Sequence, residues 1–179
     1  MAPETIGIIG TLSGVIIGGL ISAIISYSHQ KHERWLETSK RQLAKLEESH
    51  KIVTNIKLSI GNTYTEYSTR LIAGNLVYDH LSEDLDEEND IKPIPYDSLK
   101  MIIGFYAPSL KKELDNFIEH CSFKFGEVLA KAMIALSSQN NEEEKENISK
   151  QLWDEYAKIE VLAVELQDKI VKISKKYAE

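Results

Sequence analysis

The stretch LWDEYAKIEVLAVELQDKIVKI, residues 152–173, decides the fold class. Leu152, Tyr156, Ile159, Ala163, Leu166, Ile170 and Ile173 recur at alternating steps of four and three, the repeat that lines one side of an α-helix. Val161, Leu162 and Val164 lie off that stripe. A helix that is apolar beyond one narrow stripe needs more than one neighbour. The spacing therefore predicts a last helix over about 142–177, packed in a bundle or in a bundle that also meets another subunit. SSQNNEEEKEN, residues 137–147, is the turn before it. Asn141 is placed to cap, and Glu142 to Glu144 suit the positive end of a helix dipole.

Upstream, Leu110, Leu114, Phe117, Cys121, Phe125, Val128, Ala132 and Leu136 mark the core stripe of a helix over about 98–137. Pro108 must kink or restart it, because proline has no amide to donate. Before it, SEDLDEENDIKPIPYD, residues 82–97, reads as a solvated acidic loop. Asp84, Asp86 and Glu88 alternate like the start of a calcium loop, but Asn89 stands where Gly is needed and Pro95 where Glu is needed. Further back, Leu36, Leu43, Leu46, Val53 and Ile60 continue the helical period, with His50 on the same series as a half-buried structural residue. In IGNTYTEY, Gly61 is suited to end a helix, and Thr63 with Glu66 matches a capping box. A second helix over about 63–83 follows, with Tyr64, Tyr67, Leu71, Tyr78 and Leu81 apolar. The competing reading is one continuous helix to residue 83.

The N-terminal end reads differently. From Ile6 to Ser28 there is no Asp, Glu, Lys, Arg or His. As a helix this run would be roughly 35 Å long, against a hydrocarbon layer of about 30 Å. A cleaved signal needs a basic n-region, and MAPET has none. The expectation is an uncleaved transmembrane anchor. Its basic flank, including Lys31 and Arg34, follows the run, which predicts the N-terminus outside a bacterial inner membrane and the C-terminal domain in the cytoplasm. Tyr27, Lys31, Arg34 and Trp35 are the expected interfacial anchors. Gly10, Thr11, Gly14, Gly18 and Ser22 share one face, the small-residue pattern through which membrane helices approach one another. They are the candidate packing or pore-lining residues, and they imply a homo-oligomer in the lipid bilayer.

The fold class is thus all-α: an N-terminal transmembrane helix continuing into a cytoplasmic up-and-down helical bundle. Its parts are an anchor at 1–28, a neck and first bundle helix at 29–62, and the rest of the bundle at 63–179. The net charge of −7 and pI near 5.3 give no electrostatic basis for direct nucleic-acid binding. The single cysteine, Cys121, falls on a core stripe and reads as an inert thiol. P-loop, GxGxxG, HExxH, CxxC and GxSxG motifs are absent. No catalytic residue, cofactor or metal ligand is assigned, so the expectation is a protein that is not an enzyme.

This layout (a Gly/Ser-rich run, a charged neck beginning near HQKHERWLE at 29–37, then a helical bundle) resembles the small membrane accessory proteins of type VI-B CRISPR systems. The resemblance implies a divergent HEPN-like helical domain, a pore-forming oligomer, a CRISPR effector or other cytoplasmic trigger as partner, and a role in antiphage defence. It also permits one test on residues. Active HEPN nucleases separate an Arg from a following His by four to six residues. Here eight residues separate Arg41 from His50, and nine separate Arg70 from His80. Neither pair fits. The leading functional expectation is a pore that permeabilises or depolarises the inner membrane. The alternative is a membrane-tethered adaptor or scaffold without conduction.

Overall fold

The computed structural model describes residues 3–73, 94–137 and 142–178, with side chains of Gly19 and of residues from Ile21 onward. The described residues are all-helical, without a strand. In chain order they form α1 (Pro3–Ala73), α2 (Tyr96–Tyr106), a 3₁₀ turn (Pro108–Leu110), α3 (Lys111–Glu119), a π turn (His120–Lys124), α4 (Phe125–Ser137) and α5 (Glu142–Ala178). The chain divides into two compact units, Met1–Gln42 and Leu43–Glu179.

The second unit is a helical bundle with one core. Leu46, Val53, Ile56, Ile60 and Leu71 come from α1, Leu99 and Ile103 from α2, and Leu114 and Phe117 from α3. Ala132 and Ala135 come from α4, and Leu152, Ile159, Ala163, Leu166 and Ile170 from α5. The stripes expected over 110–136 and 152–173 are therefore the buried faces, with Val128, Leu136, Tyr156 and Ile173 half-buried at their edges. Few polar links join the helices inside. The Ser68 and Ser149 hydroxyls meet at 3.3 Å, and Gln167 Nε2 donates to Thr54 Oγ1 at 2.7 Å.

Pro108 restarts the helix as expected. The proline ring pushes the preceding residue out of helical geometry, and Ala107 has φ −145°. Its amide still donates to Ile103 O at 2.9 Å and closes α2, while Leu110 N–H donates to Ala107 O at 2.9 Å and opens the next turn.

Gly61 does not end a helix. α1 runs through it to Ala73, so the break expected in IGNTYTEY gives way to the continuous reading over the described residues. The Thr63 and Thr65 hydroxyls donate to Ser59 O and Gly61 O, each four residues back, so they serve inside the helix and not as caps. Position 61 is closely approached by the ring of Tyr156, which would have to give by a few tenths of an ångström for a larger residue. A Cβ there would lie 3.2 Å from Tyr156 Oη. The acidic loop with Asp84, Asp86 and Glu88, the later part of the expected second helix, and the Asn141 cap lie outside the described residues.

The first unit corrects the expected location. Among the described residues no helix is long and apolar enough to cross a membrane, which overturns the single inner-membrane span with its N-terminus outside. In the sequence the uncharged run, Ile6 to Ser28, ends at His29. Beyond it α1 is polar on most sides. His29 pairs with Glu33 at 3.3 Å, and Arg41 with Glu37.

Candidate functional site

The core stripe over 110–136 is interrupted by the π turn His120–Lys124. Leu114, Phe117, Cys121 and Phe125 are spaced by three, four and four, close to three turns of helix in all, so the spacing itself keeps them on one face. In the π turn Phe125 N–H reaches back five residues to His120 O, and Ser122 Oγ donates to Ile118 O at 2.5 Å. Phe117, Cys121 and Phe125 are all buried.

The same turn sets His120 against α5. Its Nδ1 meets Glu155 Oε1, and Lys158 Nζ stands 3.5 Å from Glu155 Oε2. Glu155 is the one buried acid among the described residues. It follows Leu152 by three, which turns it towards the bundle. Since a carboxylate only accepts, the imidazole N–H sits on Nδ1 and donates, leaving Nε2 as the other ring position. This is an oriented imidazole, the base-and-orienter half of many catalytic sites.

Among the described residues no nucleophilic side chain is hydrogen-bonded to the His120 ring. Cys121 is beside it in sequence, but burial, and then the negative charge of Glu155, push its thiol up to about 12. It is a neutral packing group at any ordinary pH. Burial also pushes the Tyr96 phenol well above its usual range. Among the described residues no three His, Cys, Asp or Glu side chains are grouped to hold a metal.

Two open depressions lie nearby. One, of about 370 Å³, is lined by His120, Ala157, Lys158, Val161 and Leu162. The other, of about 540 Å³, is lined by Lys100, Asp115, Ile118, Glu119, Phe123 and Lys124. Phe123 is 73% exposed, and α2 exposes Phe105 (77%) and Met101 one turn apart.

The residues singled out from sequence do not assemble here. Gly10, Thr11, Gly14 and Gly18 fall within α1, but their side chains lie outside the described residues, and Ser22 is exposed. Tyr27, Lys31, Arg34 and Trp35 are exposed, with His32 stacked on Trp35 at 6.2 Å. Of the Arg–His pairs, Arg41 is tied to Glu37 and Arg70 to Glu66 at 3.1 Å, while His80 lies outside the described residues. Glu155, and with it the pairing to His120, escaped the sequence reading; the acid three residues after Leu152 is the one signal that carries it. No family model, curated protein or solved structure matches this chain.

Proposed function

We propose that the chain is a non-catalytic helical adaptor or scaffold that works by binding other proteins. The observation that carries this reading is the exposure of Phe105 and Phe123, large apolar side chains that a finished bundle would cover. The oriented imidazole of His120 supports it from the other side, because it is tied to a buried acid and the neighbouring thiol is neutral. The setting, an accessory role in RNA-guided antiphage defence, comes from the resemblance of the layout. Conduction through a ring is not carried forward, since it depends on a membrane crossing.

The test is a plaque assay in cells expressing the full chain with a type VI-B effector. Phe105→Glu combined with Phe123→Glu should abolish the enhancement of defence while leaving the melting temperature within a few degrees, as surface changes do. His120→Gln should keep the enhancement. Loss of enhancement in a folded His120→Gln variant, with the phenylalanine variant active, would overturn the adaptor reading in favour of chemistry at the dyad.

A further inference from the structure

α5 carries a second apolar stripe, on the side away from the core. Trp153, Val161, Val164 and Val171 are 51%, 57%, 49% and 41% exposed, and Ala157 lies on the same side. At 100° per residue these five fall within an arc of about 80°, opposite Ile159 and Ile170. The stripe runs beside the depression lined by Ala157, Lys158, Val161 and Leu162.

The order of residues along this stripe is close to symmetric about residue 162. Val161 and Val164 flank that point at the centre, and Trp153 and Val171 stand at equal distances from it. The charges follow a similar symmetry, about residue 163, with opposite sign. Asp154 mirrors Lys172, and Lys158 mirrors Asp168, all four exposed. A face whose charges are inverted by reversal of direction is complementary to itself in the antiparallel sense. Lys150 mirrors Lys175, a like pair, but Glu146 lies one turn away and offsets it.

We propose that two copies of this chain dimerise through the outer face of α5, antiparallel, about a two-fold axis passing near residue 162. In this dimer Val161 of each copy packs on Val164 of the other, and Trp153 packs on Val171. Asp154 pairs with Lys172 across both rims. The inference goes beyond the adaptor reading, because self-association is measured without reference to any cellular role. The apolar strip is about 27 Å long from residue 153 to residue 171. With its charged rims it covers less than the roughly 800 Å² per partner of a stable complex, so the expected affinity is micromolar.

Sedimentation equilibrium of the full chain from about 1 to 300 μM brackets that range. The mass should rise with concentration from 20.3 kDa towards twice that value. Val161→Asp with Val164→Asp should weaken association at least tenfold. Asp154→Lys and Lys172→Asp should each weaken it, and the double exchange should restore it. Under oxidation Trp153→Cys should cross-link to Val171→Cys in a mixture, and Val171→Cys should not cross-link to itself. A monomer at every concentration, association indifferent to the valine changes, or self-cross-linking of Val171→Cys would each overturn the proposal.

Discussion

The two sides of α5 both carry apolar side chains and have opposite fates. Leu152, Ile159, Ala163 and Leu166 on the inner side are fully buried, while Trp153, Val161 and Val164 on the outer side are about half exposed. Another helix of the same chain reaches only the inner side. The inner stripe meets α1, α3 and α4 in a single core. It is continuous in the heptad sense, whereas the outer stripe is interrupted by Asp168. One charged residue is tolerated in a contact between separate copies more readily than in a closed core.

Four substitutions break or sharpen this contrast. The largest effect should come from the inner side. Leu166→Ala removes a fully buried side chain and should cost about 2–5 kcal/mol, read from chemical denaturation. Next is the close approach at Gly61. Tyr156 is held there by a stack on Tyr64, with centroids 4.9 Å apart, and by donation of its hydroxyl to Glu160 at 2.9 Å. Gly61→Leu must displace this ring and should cost about 1–3 kcal/mol despite the better helix propensity of leucine. A Gly61→Leu variant as stable as the parent would mean that Tyr156 is loosely held.

At the edge of α5 the effect becomes pH-dependent. The Lys169 ammonium, 2.6 Å from Glu113, holds that carboxyl below its ordinary range. A depressed carboxylate adds stability above its unfolded value, near 4.5, and loses it as pH falls through the folded value. Lys169→Met should therefore lower the melting temperature at pH 7, and the difference from the parent should vanish at low pH. Both side chains are only partly buried and in reach of solvent, so the size is roughly 0.2–1 kcal/mol. The smallest effect belongs to the outer side. Val161→Asp should change monomer stability by no more than about 0.5 kcal/mol. A larger loss would place Val161 in the core and remove the contrast.

How much was legible follows from the range of each signal. The stripes through Phe117 and Ile159 were readable because a buried helix face repeats with the helix itself, a local property. The restart at Pro108 was readable for the same reason, since a missing amide acts on its own turn. Gly61 was misjudged because its reason lies ninety-five residues away, in the ring of Tyr156. The location of the N-terminal part was also misjudged, because a count of uncharged residues was taken for a span. The pairing of His120 with Glu155 was not readable, because the regular spacing around Cys121 does not announce a π turn and its facing Glu155 depends on how α3 and α5 pack.

From the sequence alone come the helical class, the buried stripe of each bundle helix and the inertness expected of Cys121, because period and hydrophobicity act over a few turns. The tertiary structure alone decided the continuity of α1 through Gly61, the pairing of His120 with Glu155, and which apolar side of α5 is left to water. Each of these is a contact between residues far apart in the chain, and only packed helices bring them within ångströms of one another.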